Sequence, residues 1–540
     1  MQIGKIIHYS LSITQITFQI FKKMKKNNAL YIKISFIALL FIIVNACQKN
    51  IDSAELDAYT PLSIDENAGN WKPILVTSGT DITVAAPSST TSTEYVAELA
   101  SLKTALANAT ADQKTAVKYW SVGGTIRWNE IARDLAAQYN IPPNNNADGT
   151  YPTPDANNPL AYPRFPFANP PYASRAFALL SVAQYDALIA TWKYKYQYKR
   201  AAPYKTDASI TPSVPKSDLP SYPSEDAVNA AASRELLKFL FPGEVPLLEA
   251  KATEHKNSRL WAGANVQSDI DAGEALGKAV AAKIIAYAKA DNMSKANAQA
   301  DFTLLRADAT KRGITTQWTS RDIPSRPPML PFFGNVKTWN FDSATKVAIR
   351  PTAPPAVGSA DFTKALDELR VIAKKRSREQ FRIASYWADG PGTYTPPGHW
   401  NRTATELIYK NKFSEIRAAR TLALLNTALE DAGVVCWDVK YYYLLPRPTE
   451  VDAKVTTSTG IPNFPAFTSG HSTFSAAGAT VLSYVFPSEA SNLNALAKEA
   501  SESRIYGCIH YRFDCEIGLV HGAKVGNYAI NRGKADGSGL

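Results

Sequence analysis

Apolar residues recur three and four positions apart along most of this chain, the period of a helix buried on one face. The run that begins Glu94-Tyr-Val-Ala-Glu-Leu-Ala-Ser-Leu carries this period. Ala- and Leu-rich stretches repeat it at 175–192, 227–241, 270–290, 362–375, 403–432 and 472–486, and loops rich in Pro and Gly separate them. Strict alternation of apolar and polar residues, which would predict strands, is scarce. The pattern therefore predicts a mostly α fold. Residues 47–93 lack the period and end in Ala86-Pro-Ser-Ser-Thr-Thr-Ser-Thr, so they are expected to form a flexible tether.

The chain also matches itself. At a shift of 245 residues it aligns without a gap from Arg175 to Asp291. Arg175-Ala-Phe-Ala-Leu-Leu falls on Arg420-Thr-Leu-Ala-Leu-Leu, Trp192 and Lys195 on Trp437 and Lys440, and Phe241-Pro242 on Phe486-Pro487. Upstream, Trp128-Asn129 falls on Trp400-Asn401 at a shift of 272, and a Pro/Asn-rich insertion near 142–170 absorbs the difference. This self-match predicts two related helical bundles from an internal duplication, packed as a pseudo-two-fold pair. The N-terminal bundle would span 94–330 and the C-terminal bundle 331–540. The copies differ where charge matters. Ala202, Glu225, Asp226 and Asn265 stand where the later copy has Arg447, Gly470, His471 and His510. The earlier copy is expected to be structural and degenerate, and the C-terminal bundle to carry the active site.

Composition removes other classes. The 540 residues are 45% hydrophobic and 20% charged, and four cysteines are too few to hold the fold by disulfides. The net charge of +11 does not point to nucleic acid. Several cations cluster before residue 34, and elsewhere acids and bases are mixed. Those cations precede an apolar run at 34–44 that is short for a membrane span, and Val44-Asn45-Ala46-Cys47 follows it. This front end resembles a bacterial lipoprotein signal. It implies a signal peptide over 1–46, lipidation at Cys47, and export to the outer membrane on a lipid anchor. Among Cys436, Cys508 and Cys515 any pairing is left open.

Three segments of the later copy carry candidate chemistry. They are Lys440-Tyr-Tyr-Tyr-Leu-Leu-Pro-Arg447-Pro448, Phe464-Pro-Ala-Phe-Thr-Ser469-Gly470-His471, and Ser503-Arg504 continuing to His510 and Asp514. Lys440, Arg447 and Arg504 are cations, and guanidinium forks suit tetrahedral oxyanions. Ser469 and Gly470 precede an Ala-rich run. They are expected at a helix start, where a hydroxyl and free N–H groups await an anion. His471 and His510 can divide attack or ligation from proton transfer, with Asp514 orienting His510.

The order and spacing of these segments resemble the superfamily that joins type 2 phosphatidic acid phosphatases, bacterial acid phosphatases and vanadium-dependent haloperoxidases. Thr468 stands where that pattern has Pro. Two bundles in one chain resemble the soluble haloperoxidase branch most. That resemblance implies vanadate as cofactor, bonded to His510 and held by Lys440, Arg447, Ser469, Gly470 and Arg504, with His471 as acid/base. It implies an aromatic wall of Trp437 and Phe464 at the halide/substrate pocket, and an Asp389 that pairs with Arg504. The implied activity is oxidation of a halide by hydrogen peroxide to hypohalous acid. The alternatives are a metal-free phosphomonoesterase that forms a phosphohistidine at His510, and a non-catalytic surface binding lipoprotein. A homodimer is left open. The remaining histidines receive blander assignments. His399 is read as structural, His521 as a helix-packing residue and His255 as exposed.

Overall fold

The computed structural model describes residues 55–76, 82–152 and 165–539. The expected signal peptide and Cys47 lie outside the described residues. Among the described residues every regular element is a helix and no strand forms.

Ten helices organise the chain as two sets of five. The first set is α1 Gly124–Tyr139, α2 Pro170–Tyr198, α3 Glu225–Leu240, α4 Val245–Trp261 and α5 Gln267–Lys289. The second is α6 Thr395–Lys410, α7 Glu415–Tyr443, α8 Gly470–Val485, α9 Ala490–Tyr506 and α10 Arg512–Lys534. From α2 and α7 onward the two sets start and stop 245 residues apart. Their local chemistry repeats as well. Ser224 and Ser469 cap α3 and α8, each with its hydroxyl accepting a backbone N–H. Arg175 pairs with Asp291 and Arg420 with Asp536, both at 2.6 Å. Asp186 of α2 accepts the N–H groups of Ile74, Leu75 and Val76, as its counterpart Asp431 of α7 accepts those of Trp339 and Asn340.

The 29-residue helices α2 and α7 are apolar on nearly every side, which is the pattern of a helix with no solvent face. They pack against each other at the centre. Equivalent positions of the two sets touch: Asn426 donates to Ser181 Oγ at 2.9 Å, and Asn129 donates to Asn401 Oδ1 at 2.7 Å. Self-contact of equivalent positions is what a two-fold axis produces. We infer the internal duplication from this recurrence.

The described residues cluster as one compact unit. The described part of the expected tether lies on the core instead of hanging free. Ala68 and Trp71 are buried against Tyr185, Leu188 and Trp192. Tyr194 and Tyr222 donate to the carbonyls of Ile82 and Ala85. Scattered apolar residues (Trp71, Val76, Ile82, Val84) do this work without any helical period. His255 also departs from its expected exposure. It is fully buried, stacked on Trp120 at 4.1 Å, with Trp128 Nε1 donating to its Nδ1.

Buried carboxyls line the seams. Burial pushes Glu430 up to about 8 and Asp431 up to about 7. A carboxyl whose folded pKa lies above its unfolded value contributes stability that is fully present below the unfolded pKa and is lost as pH rises through the folded one. The fold should therefore weaken between about pH 4.5 and 8, by up to about 1.4 kcal/mol per pH unit per group. Glu430→Gln keeps an acceptor for Trp339 Nε1 and removes one titration. Urea midpoints at pH 5 and pH 8 should lie closer together in this variant than in the parent. An unchanged gap would contradict the assignment.

Candidate active site

The three predicted segments meet at the N-terminal end of α8. Lys440 is near the end of α7, Arg447 is on the turn after it, Ser469 caps α8, Arg504 is near the end of α9, and His510 and Asp514 straddle the start of α10. A cavity of about 210 Å³ opens there. Gly470, His471, Arg504, His510, Trp437, Phe464 and Asp389 line it. Ser469 and Asp514 stand behind the wall, tied by the Ser469 N–H to the Asp514 carbonyl at 3.0 Å.

The centre of the site is a chain of three side chains. Arg447 Nη1 lies 2.9 Å from His510 Nε2, and His510 Nδ1 lies 3.0 Å from Asp514 Oδ2. Because a guanidinium only donates, Nε2 is the acceptor and Nδ1 carries the proton toward Asp514. The imidazole is thus held neutral at the cavity wall, with its Nε2 lone pair taken up by Arg447. Burial, and then Arg447 and Lys440, push His510 well below the usual imidazole range. Burial pushes Asp514 up, and Lys440 and Arg447 pull it back.

The cations are held by carbonyl oxygens. Arg447 donates to Phe464 O and Ile509 O, which leaves its buried Nη2 without a partner. Arg504 donates through Nε to Ser503 Oγ and through Nη2 to Ala384 O. Burial lowers both guanidiniums to about 10, so they remain charged at neutral pH. Lys440 has a task different from the expected one. Its ammonium donates to the carbonyls of Pro465, Ala466 and Thr468, which accounts for all three of its protons, and it does not line the cavity. Burial pushes it down. The three carbonyl acceptors favour the charged form. Lys440 therefore pins the loop that presents Ser469 and Gly470.

The α8 end is open at Gly470. A Cβ there would meet Trp437 at 3.9 Å and nothing nearer, so an anion can approach the first N–H groups of the helix. His471 has a buried Nε2 with no partner, and burial and then Arg504 push it well below the usual imidazole range. Trp437 and Phe464 form the aromatic wall, with ring centroids 4.9 Å apart. Arg504 and the N–H groups at Gly470 make a donor set at the cavity that fits a tetrahedral oxyanion, and the unpartnered Nη2 of Arg447, a side chain bonded to His510 beside the cavity, adds a further buried donor.

One expected pair does not form. Asp389 makes no ion pair with Arg504 among the described residues. Its Oδ1 lies 3.3 Å from His399 Nδ1, and its buried Oδ2 has no partner. Arg504 instead spends its fork on Ser503 and Ala384, although Asp389 still acts on it through space. His399 stacks on Trp387 at 4.3 Å, in line with a structural role. His521 is buried without partners, and Cys436, Cys508 and Cys515 are buried free thiols.

Sequence reasoning missed much of the wall. Met329, Asn463, Ile509, Asn140 and Phe167 all line the cavity. Asn463 directly precedes Phe464 of the second segment, and Phe167 lies in the insertion near 142–170; these adjacencies were the available signal.

The equivalent place in the first set is filled from within. Lys195 pairs with Glu225 at 2.8 Å, Asp226 with His255 at 3.0 Å, and Arg200 reaches over to Asp269. The carboxylates at the Gly470 and His471 positions supply the negative charge that the later site lacks.

Comparison with known proteins agrees with this geometry. Residues 420–534 match the PAP2 superfamily. Vanadium chloroperoxidase of Curvularia inaequalis is 30% identical over 172 residues, which covers 26% of this chain and 26% of that protein. The match thus spans about a quarter of that relative. The fold is similar to the crystal structure of the first bacterial vanadium-dependent iodoperoxidase, with a TM-score of 0.53 and 24% identity over 67% of this chain and 91% of that one. It is also similar to the holo form of a bacterial vanadium-dependent chloroperoxidase, with a TM-score of 0.50 and 12% identity over 72% and 97%. The resemblance to the superfamily and the helical haloperoxidase fold are thereby shown.

Sulfate, an XO4 dianion that does not titrate in this range, should bind the chain, and calorimetry should show affinity falling as pH rises. The anion favours protonated His471, so binding takes up a proton. His471→Ala should flatten that dependence. Arg447→Ala should weaken binding by on the order of 10- to 100-fold, as expected for loss of charged hydrogen bonds. Equal affinity in the parent and Arg447→Ala would contradict the assignment.

Proposed function

We propose that this chain is a vanadate-dependent haloperoxidase that oxidises a halide with hydrogen peroxide to hypohalous acid. The observation that carries the reading is the Arg447–His510–Asp514 chain. It holds a neutral imidazole with Nε2 free of its own proton, at the edge of a cavity that also gathers Arg504, Gly470 and His471. The partial match to Curvularia vanadium chloroperoxidase supports it.

In this reading Asp514 fixes the His510 tautomer, so that Nε2 serves as the ligand to vanadium. Arg447, Arg504 and the Gly470 N–H hold the oxyanion, with Ser469 and Lys440 setting the loop behind them. Bound vanadate supplies a Lewis-acid centre that activates peroxide toward halide without itself changing oxidation state. His471, neutral in the empty pocket, accepts a proton from the incoming peroxide and returns it to departing water. Trp437 and Phe464 exclude water from the side of the cavity where the halide would enter.

A phosphomonoesterase would use the same residues without metal, with His510 Nε2 as nucleophile and His471 protonating the leaving oxygen. The match to the PAP2 superfamily favours keeping this second reading. Export on a lipid anchor at Cys47 is part of the same proposal, and Cys47→Ala should abolish incorporation of labelled palmitate; undiminished labelling would refute it.

The test is to assay peroxide-dependent halide oxidation and p-nitrophenyl phosphate hydrolysis, each with and without vanadate. Halide oxidation that requires vanadate, and is lost in His510→Ala but near parental in Asn265→Ala, is the expected outcome. Ester hydrolysis inhibited by vanadate, with no halide oxidation, would establish the phosphatase instead. Inactivity of the folded chain in both assays would favour a binding lipoprotein.

A further inference from the structure

From Arg370 to Tyr386, six Lys and Arg stand against one acid, Glu379. Two helices, Ala360–Lys375 and Arg378–Tyr386, carry this run, and both pack on α9. The first buries Phe362, Ala365, Leu366 and Leu369, and the second buries Ala384. By helical period, Lys364, Val371 and Lys375 fall on the face of the first helix opposite that apolar stripe. Arg378, Phe381, Arg382 and Ser385 fall together on the outer face of the second. Outer faces are normally polar. Here Val371 is 59% exposed, Phe381 53% and Tyr386 52%, three of the nine exposed large hydrophobic residues among the described residues. Such residues scattered singly mean little, but three on two consecutive basic helices make a patch.

The charge of this patch is not cancelled from below. Lys364, Lys374, Lys375 and Arg378 are exposed and form no ion pair among the described residues. The neighbouring acids are engaged elsewhere. Asp367 pairs with Arg370 and Glu379 with Arg382, Glu368 and Glu502 both hold Arg512, and Glu499 accepts Trp387 Nε1. Arg376 is taken up by the carbonyls of Tyr506 and Thr456, which fastens the turn between the two helices to the end of α9. A surface both cationic and apolar fits the interface of a bilayer with anionic headgroups. Lys and Arg meet the phosphates, while Phe, Tyr and Val meet the boundary of the acyl chains. A single-stranded nucleic acid would engage the cations and the rings, but Val371 has no π-face on which a base could stack.

We propose that the outer faces of these two helices dock the protein on a bilayer that contains anionic phospholipid. The docking is peripheral, since no helix among the described residues is long and apolar enough to cross a membrane. It depends on neither the haloperoxidase reading nor the lipid anchor. The second helix also reaches the active site from its buried side. Ala384 O receives Arg504, and Asp389, just past Tyr386, lines the cavity at His510. Docking would therefore set the site beside the bilayer surface.

The test uses the full chain with Cys47→Ala, so that no lipid contributes. Affinity is measured by sedimentation with vesicles of phosphatidylcholine alone, and with vesicles of phosphatidylcholine and phosphatidylglycerol in equal parts. The excess affinity for the anionic vesicles cancels any partitioning of the apolar run at 34–44. Each cation at such a surface is worth about a fivefold change in affinity. Lys374→Gln/Lys375→Gln/Arg378→Gln should therefore cut the excess at least tenfold, and Phe381→Ser should weaken binding to the anionic vesicles severalfold. The same charge removed from exposed lysines elsewhere, as Lys114→Gln/Lys289→Gln/Lys311→Gln, should cost much less. All these variants alter exposed side chains and should unfold at the parent's temperature. No excess in the parent, unchanged binding in Phe381→Ser, or equal losses in the patch and control triples would overturn the docking. So would retention on immobilised heparin without any vesicle excess, which would assign the patch to a soluble polyanion.

Discussion

Burying positive charge without enough negative charge to match it is the constraint on which this structure turns. Lys440, Arg447 and Arg504 are all buried near the start of α8. The carboxyls close to them are Asp514, which is engaged with His510, Asp389, which sits beside His399, and Glu450, which accepts the backbone N–H of Arg447; burial pushes Asp514 and Glu450 up, which weakens them as counter-charges. Isolated buried charges are expensive. The fold offsets that cost with carbonyl dipoles, three on Lys440, two on Arg447 and one on Arg504. Carbonyls hold the cations in place without neutralising them. The unbalanced field that remains, together with the N–H groups at Gly470, fits a dianion better than water.

The first half of the chain shows the same scaffold relieved of this imbalance. Its central helix, its capped α3 and its Arg–Asp clasp are those of the second half, but Glu225 and Asp226 place carboxylates where the oxyanion would sit. Internal ion pairs occupy that place in the first half. The comparison separates residues that both sets need to hold the bundle from residues that differ between them. Arg175 and Arg420 hold the bundle. Arg447, His471 and His510 do not, since Ala202, Asp226 and Asn265 stand at the matching positions of a set whose helices have the same lengths.

Much of this was legible in the sequence. The period of apolar residues fixes helices, and the self-match sets their registers because packing demands the same buried positions in both sets. The three cationic segments were legible because their chemistry requires particular residue types at particular spacings. Contacts that rest on backbone atoms could not be read in this way. Nothing in the string of letters says that Lys440 faces three carbonyls, that Arg504 takes Ser503 and Ala384 in place of Asp389, or that His255 lies under Trp120. The packing of Trp71 and Val76 on the core was hidden for a related reason. A segment without periodicity can still be ordered by a single buried carboxylate, here Asp186, which takes up its backbone N–H groups.

One oxyanion nest built from these separated segments would unite the site. Diffraction from vanadate-soaked crystals, with anomalous data collected at the vanadium edge, examines it most directly. The expected result is a single strong peak within bonding distance of His510 Nε2, contacted by Arg447, Arg504 and the Gly470 N–H. A peak bound elsewhere, or a fully ordered pocket without any vanadium at saturating vanadate, would contradict it.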